Sequence, residues 1–318
     1  MYKFLVRPFL FSFDPEWVHY FSLNALRLIN KIPLSRWLLR KIYSYENPAL
    51  EKVLFGIKFK NPVGLAAGFD KNGKYINELS NLGFGFIEIG TITPKPQQGN
   101  PKKRLFRLQN DSAIINRLGI NNDGSYICAE RLKKNNSDVV IGGNIGKNTS
   151  TSNENADADY IQNFETLHHY VDYFVLNVSC PNVSNFTKLQ DVEFLKKLVP
   201  QLKKINSTKP KKKPILIKIS PDLNQDQLDE TIDLILSENL DGIIATNTTT
   251  TRENLKTNKI KIEKIGNGGL SGEPLKSKST DVIRYISKKT SGNLPIIGVG
   301  GIMNSKDALD KIEAGADL

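Results

Sequence analysis

The strongest constraint on the fold is a regular alternation of short apolar runs with amphipathic segments from about Glu51 onward. The runs have the length of strands and are predominantly apolar, as is typical of strands buried on both faces of a parallel sheet. The segments between them have apolar residues at helical spacing. The seven candidate strands cover residues 63–66, 85–89, 139–143, 173–178, 215–219, 242–245 and 295–299. The clearest candidate helices between them cover residues 72–82, 192–205, 225–238 and 279–290.

Small and polar residues follow every candidate strand, and this pattern favours a closed barrel over an open sheet. A barrel builds its active face from the carboxyl ends of all its strands, whereas an open sheet uses its switch point. The predicted fold class is therefore α/β, a TIM (β/α)8 barrel over residues 51–318 with an N-terminal helical extension over residues 1–50. Residues 315–318 resemble a helix end that enters an eighth strand. We expect the last strand and helix to be missing and the barrel to be unclosed.

The first fifty residues are cationic and rich in aromatic side chains, with both tryptophans and 11 of the 27 aromatic residues. Asp14 is placed to cap a helix that starts at Pro15, and a second helix is predicted over residues 33–43. The two helices could lie in a membrane interface with lysine and arginine on lipid phosphate, or form a hairpin packed on the main domain. Neither a membrane-spanning run nor a cleaved signal peptide is indicated.

Charge and cysteine content narrow the classes of partner. The net charge is +11, and its densest lysine run, over residues 203–213, has no interleaved aromatic residue, so we expect a solvated loop and no nucleic-acid partner. Two cysteines and three histidines support neither a disulfide framework nor a metal site. We expect Cys128 to be a buried residue of a helix.

Amide and amine side chains near the strand ends predict the shape of the ligand. Four asparagines there each offer donors and an acceptor, which suits a flat ligand with alternating N–H and C=O groups, such as a pyrimidine-dione. They are Asn116, Asn177, Asn182 and Asn247. Lys71 and Lys218 end two different strands, and they suit one anionic substrate group and one developing negative charge.

Glycines and a cysteine complete the set of candidate site residues. The glycine-rich stretches 268–272 and 298–301 follow the sixth and seventh strands, near the usual phosphate site of a barrel, and indicate a phosphate-bearing cofactor or substrate. Cys180 follows the fourth strand before a proline, on a loop that would present its thiol. A thiol with a lowered pKa is an adequate general base.

These residues lie within longer motifs in which the chain resembles the dihydroorotate dehydrogenases from residue 1 to residue 318. The motifs are NPVGLAAGFDK at 61–71, EIGTITP at 88–94, NRLG at 116–119, NIGKN at 144–148, NVSCPN at 177–182, ATNT at 245–248, GGLSG at 268–272 and GG at 300–301. FDPE at 13–16, His19 and RLFR at 104–107 are similar to the membrane-associated, quinone-dependent class of that family, class 2.

The resemblance implies an FMN-dependent oxidation of (S)-dihydroorotate to orotate in de novo pyrimidine synthesis, with quinone as the electron acceptor. It also implies peripheral attachment to the cytoplasmic face of the cell membrane through the N-terminal helices, with no metal and no nucleic acid. The flavin would be held by Ala67, Gly68, Thr91, Asn144, Asn177, Lys218, Thr246, Gly272 and Gly301. The substrate would be held by Lys71, Asn116, Arg117, Leu118, Gly119, Ile120, Asn177, Asn182, Asn247 and Thr248.

The resemblance assigns the catalytic roles to Cys180 and Lys218. Cys180 would take the proton from carbon 5 of the substrate, and Lys218 would stabilise the anionic reduced flavin. The quinone would reach the flavin through the N-terminal helices, near His19 and Arg107.

Two features depart from the pattern of the quinone-dependent class. That class usually has serine as the base, whereas Cys180 is typical of the soluble class, so the pH dependence is expected to differ. The second departure is a Tyr-[Ser/Thr]-Gly element of the phosphate site that the family places beyond Leu318. From this we expect a chain that ends at Leu318 to bind FMN poorly or to fail to fold.

Three alternatives stay open from the sequence. The first is the same reaction with a soluble acceptor, fumarate or NAD. The second is a phosphate-binding barrel lyase or isomerase without flavin. The third is a membrane-surface binding module whose catalytic site has decayed, against which the intact asparagine, lysine and cysteine set argues.

Overall fold

The structure, a computed structural model, describes residues 2–179 and 192–318. Its α-helices are α1 Arg7–Phe11, α2 Pro15–Ile29, α3 Ser35–Tyr43, α4 Ile76–Leu79, α5 Ser125–Leu132, α6 Ala156–Leu167, α7 Val192–Ser207, α8 Gln225–Ser237, α9 Lys259–Ile265, α10 Lys276–Lys289 and α11 Ser305–Glu313. Its strands are β1 Lys52–Leu54, β2 Ile57–Phe59, β3 Gly64–Leu65, β4 Phe86–Ile92, β5 Leu105–Leu108, β6 Ala113–Asn116, β7 Val140–Ile145, β8 Tyr173–Asn177, β9 Ile215–Ile219, β10 Gly242–Ala245, β11 Gly269–Gly272 and β12 Ile296–Gly298.

Seven strands form one strongly curled parallel sheet in the order β12-β10-β9-β8-β7-β4-β3. This order follows the chain, because each new strand pairs beside the preceding strand of the sheet after a helical crossover. The predicted apolar runs are all found within it, and 215–219 and 242–245 have the predicted bounds. The TIM-barrel fold class is confirmed.

The barrel interior follows from the alternation of side chains along each strand. On β8, Tyr173 and Val175 face inward and pack in one cluster with Phe86 of β4 and Leu216 of β9. The intervening residues of β8 pack in the larger cluster that contains the surrounding helices. Two residues further along the same inward rows stand Glu88, Asn144, Asn177 and Lys218. The interior is therefore apolar toward the amino ends of the strands and polar toward their carboxyl ends.

One predicted helix and the start of the predicted lysine loop need correction. The helix predicted over residues 72–82 is reduced to α4 and a following 3-10 turn, Ser80–Leu82. The Asp70 carboxylate explains the difference, because it accepts hydrogen bonds from the backbone of Lys74 at 2.9 Å and Tyr75 at 2.7 Å and holds that segment as a loop. The start of the predicted lysine loop, residues 203–204, belongs to α7, whose buried apolar face continues to the end of the helix.

Residues 268–272 were predicted to form a glycine-rich loop. In the structure, residues 269–272 form strand β11 instead. β11 pairs antiparallel with β6, which pairs antiparallel with β5 in a separate three-stranded sheet. A Cβ atom at Gly272, where φ is +101°, would clash with the backbone of Ser112, so the close approach of the two strands requires glycine there. This sheet and the β1–β2 hairpin were not predicted from the sequence.

The N-terminal extension is docked on the barrel by a buried ion pair. The Asp14 side chain accepts hydrogen bonds from the backbone of Glu16 and Trp17 at 3.0 Å each, which confirms the predicted cap of α2. Arg104 donates to both carboxylate oxygens of Glu16, at 2.7 and 3.0 Å, and both side chains are buried. Of the two alternatives left open from the sequence, packing on the main domain is observed for α2. The boundary at residue 50 stays a prediction.

The outer face of the extension remains exposed. None of the residues of α3 is buried, and Trp17, Phe21 and Trp37 each expose about half or more of their surface. Among the residues described, no helix combines the length and the apolar character that crossing a membrane requires.

After α11 ends at Glu313, residues 317–318 run beside β12. The backbone N–H of Gly298 donates to Leu318 at 2.7 Å, and the backbone N–H of Asp317 donates to Ile296 at 2.8 Å. Residues 317–318 thus pair with the edge strand of the parallel sheet, as expected for the start of an eighth strand. The expected absence of the rest of that strand and its helix stays a prediction.

We predict that Glu16→Gln lowers the free energy of unfolding by about 3 kcal/mol, since removing one partner of a buried pair leaves the other charge uncompensated. Denaturant titration measures this change. The hydrogen bond from Arg104 lowers the pKa of Glu16. The contribution of the pair is therefore complete above the unfolded-state pKa of glutamate and is lost as pH falls through the lower folded-state pKa.

Asp281→Asn, which breaks an exposed ion pair with Arg284, is the matched control and should cost at most about 1 kcal/mol. An equal loss from the two variants would contradict the docking role of Glu16.

Candidate active site

One cavity of about 770 Å³ extends from the carboxyl ends of the barrel strands to α2. It is lined by all nine residues predicted to hold the flavin, which are Ala67, Gly68, Thr91, Asn144, Asn177, Lys218, Thr246, Gly272 and Gly301. Also in its wall are the predicted substrate residues Lys71, Asn116, Leu118, Gly119, Ile120, Asn177, Asn247 and Thr248. His19 and Arg107 line the same cavity. The structure therefore brings together most of the residues singled out from the sequence.

Among the predicted site residues that the structure describes, Arg117 does not line the cavity. The Arg117 guanidinium lies over the ring of Phe106 and donates to the backbone carbonyls of Ile265 and Asn267, so it joins the second sheet to the segment before β11. Cys180 and Asn182 lie outside the described residues.

A hydrogen-bonded network of buried side chains forms the polar floor of the cavity. Asn177 donates to the hydroxyl of Thr91 at 2.6 Å, and that hydroxyl donates to Asn144 at 2.6 Å. Asn144 in turn donates to Oε1 of Glu88 at 2.8 Å, and the Lys218 ammonium lies 3.3 Å from the same oxygen. Because each member is held by a neighbour on another strand, the network fixes the positions of the cavity-facing groups.

Asn247 connects this network to the end of β8. Its amide donates to Oδ1 of Asn177 at 3.3 Å and to the Ser179 hydroxyl at 3.1 Å. The Ser179 hydroxyl donates to the backbone carbonyl of Lys218 at 3.0 Å. The chain is thus tied to two other strands at the residue before Cys180.

Glu88 and Ser179 are the two members of the network that the sequence did not single out as site residues. Glu88 could have been found, since a charged residue in the middle of a buried strand needs a buried partner. Nothing in the local sequence distinguishes Ser179 from an ordinary serine of a loop.

Glycines form the far end of the cavity. Gly300 and Gly301 have φ values of +121° and +69°, and a Cβ at Gly301 would lie 2.6 Å from the backbone nitrogen of Lys276, the first residue of α10. Backbone N–H groups of glycine-rich turns form concave sites that suit a phosphate. At Gly68, where φ is +103°, a Cβ would meet no protein atom within 4 Å. The cavity therefore has both an anion-binding end and open space for a flat group, so these residues fit FMN.

The end of the cavity at α2 is apolar around His19. The ring of His19 packs edge-on against Phe69 with centroids 4.9 Å apart, and burial lowers the pKa of the histidine. Arg107 donates to the carbonyl of Phe13 at 2.9 Å and lies over the ring of Phe11, 4.4 Å from its centroid. A neutral imidazole and a guanidinium in an apolar wall suit an apolar ligand that carries hydrogen-bond acceptors.

Comparison with known proteins agrees with this geometry. The family model for dihydroorotate dehydrogenase matches residues 49–318. A dihydroorotate dehydrogenase (quinone) of Christiangramia forsetii is 56% identical over 318 residues, covering 100% of this chain and 92% of the relative. One from a Synechococcus strain is 44% identical over 329 residues, covering 100% of this chain and 86% of the relative.

A solved structure shows the same fold. A crystal structure of DHODH from Eimeria tenella in complex with ferulenol has a TM-score of 0.83 and 36% sequence identity, covering 95% of this chain and 84% of that one. Members of the family are generally flavin-dependent, and the quinone-dependent homologues are generally membrane-associated. The resemblance seen in the sequence is thereby confirmed, and the chain belongs to the quinone-dependent class of the dihydroorotate dehydrogenase family.

Proposed function

We propose that this chain oxidises (S)-dihydroorotate to orotate, with FMN as cofactor and a membrane quinone as electron acceptor, in de novo pyrimidine synthesis. The observation that carries the proposal is the single cavity that joins the polar strand ends to the apolar wall of α2. Such a cavity has room for a polar substrate at one end and an apolar acceptor at the other, with a cofactor between them.

Different described residues would hold the phosphate and the ring of FMN. Gly272 and Gly301 would hold the phosphate, and the amides of Asn144 and Asn177 would bind the polar edge of the ring. Lys218 would place a fixed positive charge against that edge. When bound, FMN supplies the acceptor for a hydride from carbon 6 of the substrate and later passes the electrons to the quinone.

The substrate would be recognised by amides and one amine. Asn116 and Asn247 line the cavity from different elements, and Lys71 supplies a positive charge for the carboxylate of dihydroorotate. Asn177 would contact both ligands, whereas Asn182 is proposed from its motif alone. The cavity wall at 118–120 would contribute backbone groups and shape, and Arg117 would keep that wall attached to the segment before β11.

Cys180 would be the general base. Its thiolate would take the proton from carbon 5, so the carbon–hydrogen bonds at carbons 5 and 6 break and a double bond forms between them. The preceding residue, Ser179, is 1% exposed, and its hydroxyl accepts a hydrogen bond from the proposed substrate residue Asn247.

The extension would bring the quinone from the membrane. Its outer face combines exposed aromatic side chains, including Trp17 and Trp37, with Lys41 of α3, whose ammonium lies over the Trp37 ring. Aromatic rings and cations together suit the interface of an anionic bilayer. We propose peripheral attachment at the cytoplasmic face of the cell membrane, with the quinone entering between α2 and the barrel beside His19 and Arg107.

The first prediction for this function is spectroscopic. Purified protein, kept anaerobic, should show a flavin band that bleaches on addition of dihydroorotate and recovers on addition of a short-chain quinone. Recovery with fumarate or NAD but not with quinone would assign a soluble acceptor instead. A colourless protein that turns over a phosphorylated substrate would indicate the flavin-free barrel alternative.

A second prediction concerns the base. Cys180→Ala should lower the rate of flavin bleaching about 100-fold or more, which is the usual contribution of a general base. Cys180→Ser should retain part of the rate, with activity rising only at higher pH, because a hydroxyl titrates above a thiol. Stopped-flow bleaching from pH 6 to pH 10 measures both effects. Cys128→Ala, at a buried cysteine on α5, is the control and should leave the pH profile unchanged.

A third prediction separates the two ends of the cavity. His19→Ala should raise the KM for quinone about tenfold through loss of a hydrogen bond and of packing against Phe69, while the rate of bleaching by dihydroorotate stays the same. Steady-state assays with quinone and anaerobic bleaching measure the two halves separately. The exposed His169, replaced by alanine, is the control, and a fall in both rates for His19→Ala would contradict the assignment.

A further inference from the structure

Glu88 forms a buried ion pair that crosses the barrel interior. It stands on β4, 1% exposed, and its Oε1 is 3.3 Å from Nζ of Lys218, which stands on β9 and is 5% exposed. β7 and β8 lie between these two strands in the sheet, so the pair is not a contact of adjacent strands. Both side chains point inward at the level where the apolar interior gives way to the cavity.

The neighbours of Glu88 hold its carboxylate against the ammonium of Lys218. The Oε1 atom that faces Lys218 also accepts a hydrogen bond from Asn144, which fixes the carboxylate in place. On the apolar side, the Tyr173 ring packs over Gly142, the residue in register with Glu88. Burial, with a further effect from Glu88, raises the pKa of the Tyr173 phenol, so this neighbour stays neutral. The carboxylate and the ammonium are thus the two opposed charges at this level of the interior among the residues described.

Such a pair changes what a ligand beside Lys218 experiences. An isolated ammonium in a water-poor cavity would strongly stabilise a negative charge on a bound ring. The Glu88 carboxylate, 3.3 Å from the ammonium of Lys218, offsets part of this electrostatic stabilisation. It also restrains the flexible side chain of the lysine. The electrostatic effect of Lys218 therefore depends on Glu88, although Glu88 is not among the residues that line the cavity.

We propose that Glu88 is a positioning residue that holds Lys218 at the floor of the cavity and partly neutralises it, so that the bound flavin has a lower reduction potential than an unpaired lysine would give. This inference rests on the proposed function, since it takes the flavin to bind against Lys218. Its effect is to keep the reduced flavin a good electron donor to the quinone.

The test is a redox titration of the bound flavin against a reference dye. Glu88→Gln keeps an oxygen for Asn144 and removes the charge, so the potential should rise by an amount that corresponds to at least a tenfold change in the reduction equilibrium, about 30 mV for a two-electron couple. Lys218→Gln should lower the potential. Glu88→Asp, which keeps the negative charge, should remain closer to the unmodified protein than Glu88→Gln does.

Asp157→Asn is the matched control, because the largely buried Asp157 carboxylate pairs with Lys197 at 2.8 Å and Asp157 is not among the cavity-lining residues. It should leave the potential unchanged. If Glu88→Gln alone fails to fold or to hold flavin, the double variant with Lys218→Gln removes both buried charges and is compared with Lys218→Gln alone. In that background the glutamine at position 88 removes only the direct field of the carboxylate, so the potential should rise, but by less than in the protein that retains Lys218.

The outcomes separate this inference from the function beneath it. A protein that never binds flavin overturns both. A yellow protein that dihydroorotate bleaches, but whose potential is unaffected by Glu88→Gln in either background, retains the proposed function and overturns the role of Glu88.

Discussion

The structure depends on the rule that alternate side chains of each barrel strand must fill one shared interior. On these strands the inward residues Phe86, Val175 and Leu216 are each followed two positions later by an inward polar residue at the same level of the barrel. The polar residues Glu88, Asn144, Asn177 and Lys218 therefore meet although they come from four different strands. Their meeting depends on the register of the sheet rather than on any local sequence.

The second constraint is that the extension must remain attached for the cavity to have a complete wall. A bidentate contact between Glu16 and Arg104 joins α2 to the segment before β5, and Glu16 itself lines the cavity. Tyr75 adds a hydrogen bond to Asn24 of α2 at 2.9 Å. The same helix thus faces the barrel with polar anchors and faces outward with Trp17 and Phe21.

The sequence is informative where physical causes are local. Strands β9 and β10 are continuous runs of buried residues, and α2 begins at a capping aspartate followed by proline, so both could be predicted. The antiparallel sheet could not, because β11 pairs with β6 about 150 residues away and half of its residues are glycine. The partner of Glu88 lies 130 residues along the chain, and the direction of the Arg117 side chain is decided by carbonyls at 265 and 267. Such pairings are properties of the assembled fold.

The continuity of the cavity has a consequence for the chemistry of its contents. Because α2 forms one wall of the cavity, the extension closes the cavity against solvent and also borders the proposed quinone route. A change that detaches α2 from the barrel would admit bulk water to the polar floor of the cavity. The electrostatic effect of Lys218 on a ligand would then weaken, because it depends on a low dielectric constant. The proposed attachment to a bilayer and the exclusion of water from the interior are thereby linked through α2, a helix of 15 residues.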